Sequence, residues 1–279
     1  MNSFVTASAV FGILTFLLGA CVGSFLNVCI ARWPAGESVV KPRSRCPKCS
    51  SPIAWYDNLP ILAWLLLRGR CRACHALISA EYPIVEAAIG ALWFASFWVF
   101  GPGFLAIRVA VFATVLAGIA ITDLKHYLIP DGFTIFGLFF AGLTSIAGAF
   151  VGQQTPFASP ADALFGACVG AGAITIIGWL GEAALKKEAM GFGDTTLMAM
   201  VGAALGPGRT LLTVFVGALI AAVIFVAIVY PVGWIRSNKT GIPFEPPLVP
   251  FGVFLAPAAL LVLFWGFPLI GWYLDRASL

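Results

Sequence analysis

The sequence predicts an all-α integral membrane protein: about eight transmembrane helices, with a small cytoplasmic zinc-binding module between the first and second. Three observations predict it. Of 279 residues, 61% are hydrophobic and only 10% are charged, where a soluble domain carries roughly 25%. Apolar runs approaching the ~20 residues that cross a hydrocarbon layer recur along the chain. Four of the seven cysteines form two C-x2-C pairs in its one long polar stretch. This composition excludes an ordinary soluble domain, a disordered chain and a disulfide mini-protein. A net charge of +4 is too modest to argue for a nucleic-acid partner; the lipid bilayer is the partner the composition implies.

Residues 1–31 contain no Asp, Glu, Lys or Arg. A cleaved signal would carry a basic region ahead of its apolar core, so Phe4 to about Ile30 reads as a retained first helix. The polar stretch 32–82 follows. Further apolar runs lie at about 83–100, 104–121, 132–151, 161–181, 194–205, 210–233 and 250–271. Gly101-Pro102-Gly103, Ile129-Pro130-Asp131-Gly132, Gly206-Pro207-Gly208 and the Pro-rich 243–250 mark breaks between them. Run 194–205 is short for a complete span. The expected domains are a first helix (1–31), a cysteine module (32–82) and a membrane core (83–279).

Basic residues accumulate in cytoplasmic loops. With the N-terminus outside, inner loops hold 13 of the 16 Lys and Arg residues, among them Lys187 and Lys239. Arg209 and Arg276 fall in outer loops, and Arg108 lies near the outer end of the third span. The reverse orientation violates the rule almost everywhere.

Cys46-Pro47-Lys48-Cys49 and Cys71-Arg72-Ala73-Cys74 are separated by 21 residues. Each C-x2-C turn brings two thiolates onto one tetrahedral ion, and two such turns complete a four-sulfur zinc site. On the cytoplasmic side thiols stay reduced, so zinc is a better use of them than disulfides. His75, next to Cys74, is the alternative fourth ligand. A module of about 50 residues is too small to rest on its own core, and a metal staple answers that. Cys21, Cys29 and Cys168 lie in spans and are expected to pack.

Acidic groups are few enough to sort singly. Glu182, Glu188, Glu37 and Glu245 read as inner loop charges, and Asp162 and Asp275 as outer ones. Glu81, Glu86, Asp123, Asp131 and Asp194 remain at the inner boundary. Asp123 closes the third span, where the helix dipole disfavours an anion; a carboxylate so placed is a functional candidate. Asp194 opens the sixth run within Gly191-Phe192-Gly193-Asp194, at the same depth and face. Two adjoining carboxylates cannot both ionise comfortably. One keeps a proton to donate to a carbonyl, and the other activates water, as in an aspartic protease. Asp194 and Asp131 also suit helix N-caps, Asp131 the better of the two. Gly191 and Gly193 leave the approach to Asp194 free of side chains. No G-x-S-x-G elbow is present.

Taken together, these segments resemble the bacterial type IV prepilin peptidases. The segments are Gly23-Ser24-Phe25-Leu26-Asn27-Val28, Pro42-Arg43-Ser44-Arg45-Cys46-Pro47 with the paired cysteines, Glu81-Tyr82-Pro83-Ile84-Val85-Glu86, Thr122-Asp123-Leu124 with Ile129-Pro130-Asp131, and Gly191-Phe192-Gly193-Asp194. The resemblance implies an inner-membrane aspartic endopeptidase of the GxGD type with Asp123 and Asp194 catalytic. It would cut the cytoplasmic leader from prepilins or type II secretion pseudopilins. It also implies N-methylation of the new N-terminus from S-adenosylmethionine, for which the sequence shows no nucleotide loop and Glu86 no assigned role. The competing reading is a non-enzymatic zinc-handling transporter or an assembly scaffold.

Overall fold

The computed structural model describes residues 2–152, 155–186, 190–240 and 249–277. Lys187, Glu188 and Glu245 lie outside the described residues. The elements in order are α1 (Asn2–Arg32), α2 (Leu62–Leu66), α3 (Glu81–Phe100), α4 (Phe104–His126), α5 (Asp131–Val151), α6 (Pro160–Leu185), α7 (Phe192–Leu205), α8 (Pro207–Ile224), α9 (Tyr230–Thr240) and α10 (Gly252–Ala277). No strand occurs among the described residues, only two isolated bridges in the cysteine module. The membrane fold class expected from composition is therefore the one observed.

Among the described residues seven helices are long and apolar enough to cross a membrane: α1, α3, α4, α5, α6, the continuous α8–α9 and α10. The remaining apolar run, the sixth in chain order, is α7; it has 14 residues and at ~1.5 Å per residue falls short of a ~30 Å hydrocarbon layer. Its role is different. Leu197, Met198, Met200, Val201, Ala203, Ala204 and Leu205 are all buried, because α5, α6, α8 and α10 pack around it. A helix that is apolar all round belongs in a core. The long helices instead leave large side chains such as Leu17, Phe139, Leu164 and Phe215 exposed, as lipid-facing surfaces do.

The chain divides into two compact units, Met1–Thr114 and Val115–Leu279, with the boundary inside α4. In the first, α1 packs along α3. A Cβ at Gly19 would meet the Trp93 side chain at 2.6 Å, and one at Gly23 the Glu86 backbone at 2.9 Å. Small residues let the backbones close together, as membrane helices require without a hydrophobic drive between them. In the second unit α6 and α7 are joined the same way. A Cβ at Gly202 would collide with the Gly166 carbonyl, and one at Gly170 with that of Met198. Gly166 and Gly170 form a G-x3-G pair on one face of α6. Gly206, at φ +81°, both ends α7 and starts α8.

Three expectations are corrected at helix ends. Asp131 is the first helical residue of α5, and the extended Pro130 takes the cap position. Asp194 is not a cap either, since Gly191 holds that place in α7. Ser159 does cap α6, accepting from the Asp162 amide at 3.2 Å and donating to its carboxylate at 2.7 Å. Arg209 is not a loop charge. It is buried in the first turn of α8, donates to the Pro156 carbonyl and lies 4.1 Å from the Phe267 ring centroid. Of the span cysteines Cys29 is buried, whereas Cys21 and Cys168 are exposed on their helices.

Gly202→Ala is expected to lower the melting temperature of the detergent-solubilised protein, by the ~1–3 kcal/mol typical of an overpacked core. Gly142→Ala, with nothing within 4 Å of the added carbon, is expected to keep or raise it, because Ala is the better helix former.

Candidate functional sites

Asp123 lies in the last turn of α4 and is buried. Two spans, α5 and α6, separate it from Asp194, so the chain returns to the same face whether or not α7 crosses the membrane. The structure brings the two to either side of Ile129, which lies against Gly193 beside Asp194 and, with Asp123 Oδ2, against Gly252. The contacts between them are specific. Asp123 Oδ2 accepts from the Val253 amide at 3.2 Å, with the Gly252 backbone adding a further bond. These amides open α10, where N–H groups lack intrahelical partners and the dipole is positive. An anion disfavoured by its own helix is thereby met by the N-terminus of another.

Gly252 is needed for that approach. A Cβ there would sit 2.9 Å from Asp123 Oδ2 and 2.9 Å from Ile129 Cδ1. Ile129 also closes on Gly193, where a Cβ would lie 2.9 Å from the Ile129 Cβ. The isoleucine thus wedges between the two glycines beside the two acids. Asp194 occupies the first turn of α7 with its amide bonded to the Gly191 carbonyl at 3.1 Å. Its Oδ1 is buried without a hydrogen-bond partner among the described residues. The glycines act through close approach and not through special dihedrals. Gly191 is an ordinary extended residue, and a Cβ there would meet Asp194 Oδ2 at an unforced 3.8 Å. Sequence reasoning missed Ile129 as a contact, and Gly252 and Val253 altogether; the only signal was a glycine two residues after the Pro-rich break.

In the first unit the four cysteines converge. Their sulfurs lie within 4.8 Å of one another, and Cys46 Sγ is 3.9 Å from Cys74 Sγ. A tetrahedron with ~2.3 Å metal–sulfur bonds has edges of about 3.8 Å, whereas a disulfide spans ~2.05 Å. The cluster could therefore hold a zinc ion. Its two turns repeat one pattern. Cys46 and Cys71 donate their amides to the Ser51 and Ala76 carbonyls, and accept from the Ser50 and His75 amides. Ser50 and His75 both have positive φ, 57° and 55°. His75 is therefore a turn residue, and the clustered donors are the four thiols. Ser51 hydrogen bonds push the Cys49 thiol down to about 6, and backbone amides of Cys74 and Ala73 lower Cys71. Both shifts favour the thiolate that binds metal, whereas Cys74, lowered by the Ala76 amide but raised by Cys49, burial, Cys71 and Cys46, is pushed up to about 11.

The module is tied to α3 through Glu86. This buried carboxylate accepts the Ile61 amide through Oε2 at 2.7 Å. Beside the cysteines, Arg72 grips Asp57 with two bonds of 2.7 and 2.6 Å. The hydrogen bonds and charge of Arg72 hold the Asp57 carboxyl below its usual range.

Two family models match the chain: the bacterial peptidase A24 N-terminal domain over residues 17–100 and the type IV leader peptidase family over residues 110–226. Relatives named prepilin leader peptidase/N-methyltransferase match it closely. That of Stutzerimonas stutzeri is 34% identical over 96% of this chain and 96% of its own. That of Pseudomonas aeruginosa is 33% identical over 96% and 95%. That of Myxococcus xanthus is 44% identical over 69% of this chain and 56% of the relative. No solved structure matches the chain.

Gly252→Ala is expected to lower the melting temperature, although helix propensity alone favours Ala, because the added carbon presses on Asp123 and Ile129. Gly191→Ser, at a position with room and a preference for Ser, is expected to leave it near wild type.

Proposed function

The chain belongs to the type IV leader peptidase family, and we propose that it removes the cytoplasmic leader of type IV prepilins or type II secretion pseudopilins, with Asp123 and Asp194 as its catalytic carboxylates. The observation that carries this reading is the meeting of two carboxylates from separate helices in a site shaped by Gly193 and Gly252. Held together in a poorly solvated place, the pair shares a proton and titrates as a unit. Its charged member takes a proton from water as the oxygen attacks the scissile carbonyl. Its protonated member donates to the carbonyl oxygen; the member that took the proton from water then passes it to the leaving amine as the C–N bond breaks, while the first recovers its proton from the gem-diol oxygen. No covalent acyl intermediate forms. The exposed Phe192 and the side-chain-free Gly191 border the acids, which suits an extended substrate backbone. A zinc transporter or an assembly scaffold is not favoured, since both family models describe peptidases.

The reading extends to location and cofactors. Both aspartates and the cysteine module face the cytoplasm of a bacterial inner membrane, a sidedness supported by the basic inner loops. Cys46, Cys49, Cys71 and Cys74 hold one structural zinc ion with no open coordination position for chemistry. The relatives' names support a second activity, N-methylation of the freed N-terminus. S-Adenosylmethionine, when bound, would supply the electrophilic methyl group and leave as the neutral thioether, with the freed amine as nucleophile and its surplus proton passing to solvent.

Asp123→Asn and Asp194→Asn are each expected to cut leader removal at least ~100-fold, the low end of general acid–base effects, with protein levels unchanged. Mass spectrometry of a co-expressed pilin reads the outcome, and full cleavage by either variant overturns the assignment. Purified protein is expected to carry about one zinc per chain. Acid is expected to release it, because protons compete with the metal for the four thiolates. Metal analysis across a pH series checks this, and Cys46→Ser is expected to lose both metal and stability.

A further inference from the structure

The first unit contains a cavity of about 1030 Å³ between the cysteine module and the module-facing ends of α1 and α3. Small-molecule sites commonly occupy roughly 300–1,000 Å³, so the space suits a ligand the size of a nucleoside derivative. Its wall combines Glu86 and Asn27 with the aromatic residues Tyr56, Trp64 and Tyr82, and the basic side chains of Arg32, Arg45, Lys48 and Arg72 line it as well.

Glu86 is the unusual member. It is only 8% exposed, and among the described residues its hydrogen-bond partner is the neutral Ile61 amide. No cation pairs with it there, in contrast to Asp57, which Arg72 neutralises. A buried carboxylate without a positive partner is costly. This one borders open space that a cation can enter. Ile61, which Glu86 holds, has φ 63° and ψ −52°, a conformation a β-branched residue adopts only under constraint. Strain of this kind gathers at ligand sites. Asn27, which also lines the cavity, is likewise 8% exposed. Its Nδ2 donates to the Tyr82 carbonyl at 3.1 Å, which fixes the amide and leaves its oxygen as an acceptor.

The methyl donor offers a partner for each kind of group on this wall, its carboxylate for the basic side chains among them. It carries a sulfonium and an ammonium, which a carboxylate and aromatic faces attract. It also carries a purine, which stacks on aromatic rings and donates through its amino group. We propose that this cavity is the binding site for S-adenosylmethionine, with Glu86 providing the negative charge for its cationic end and the aromatic residues the wall for its adenine. The assignment rests on the methyl-transfer reading above and gives that activity a location. It also separates two functions of one carboxylate: Glu86 orders the Ile61 loop through Oε2 and keeps its charge for the ligand.

The test uses the full chain in lipid nanodiscs. Ultraviolet crosslinking of radiolabelled S-adenosylmethionine, followed by peptide mapping, is expected to label segments 24–32 or 52–86. Calorimetry with S-adenosylhomocysteine and S-adenosylmethionine is expected to show saturable binding. Glu86→Gln keeps an oxygen for the Ile61 amide but removes the charge. It is expected to weaken S-adenosylmethionine about tenfold or more, and the neutral-sulfur S-adenosylhomocysteine less, with metal content and melting temperature unchanged. Labelling confined to residues 115–279, or wild-type affinity in Glu86→Gln, overturns the proposal. If Glu86→Gln does not accumulate, the wild-type crosslink map decides alone. A wild-type protein that methylates pilin but labels elsewhere overturns only the cavity. One that binds no donor and adds no methyl mass overturns the methyl-transfer reading as well.

Discussion

A carboxylate in the last turn of a membrane helix faces the negative end of its own dipole, with little water to screen it. Asp123 is sustained there because the opening amides of α10 turn toward it. Much of the second unit's local arrangement follows. Backbone amides reach a side chain only if the intervening residue has no bulk, so Gly252 lies against Oδ2 and Ile129 packs into the space beside it. Ile129 in turn requires Gly193, which precedes Asp194. One electrostatic demand thus propagates through two glycines and an isoleucine to the second acid.

The position of Asp194 depends on α7 being a core helix. Too short to span and apolar on every side, α7 is enclosed by neighbours that approach through Gly166, Gly170 and Gly202. Such contacts allow little sliding, because each glycine meets a backbone carbonyl and not a flexible side chain. The first turn of α7 is held at the depth of its packing partners, and the carboxylate with it. This is how a bundle of mostly featureless apolar helices achieves the precision that shared-proton chemistry needs.

The first unit meets a different constraint. Its module has few buried apolar side chains, Cys46 and Ala63 among them, so it depends on ties to something else. Two identical turns around the cysteines are one tie, and Glu86 on α3 is the other. Trp64 adds a third by donating to the Ile78 carbonyl at 3.1 Å while packing on Gly69. The arrangement leaves a large cavity unfilled, with a negative charge on its wall, in a region that apolar packing would otherwise have closed.

Much of this was legible in the chain itself. Composition decided the membrane class, since nothing else tolerates 61% hydrophobic residues with 10% charge. C-x2-C spacing identified the thiol cluster, because that turn is local and its geometry travels with the residues. Counting spans put Asp123 and Asp194 on one face. Apart from two caps displaced by one and three residues, what failed depended on a neighbour distant in sequence. Asp131 and Asp194 look like caps until Pro130 and Gly191 take those places. Arg209 reads as a loop charge until the Pro156 carbonyl and Phe267 enclose it. Run 194–205 reads as a weak span until four helices surround it. Val253 lies 130 residues from Asp123, and no periodicity links an amide to a carboxylate at that separation. Local patterns are written in adjacent residues and survive without the fold. Which helix end faces which charge is settled only when the helices pack, and that decision belongs to the tertiary structure.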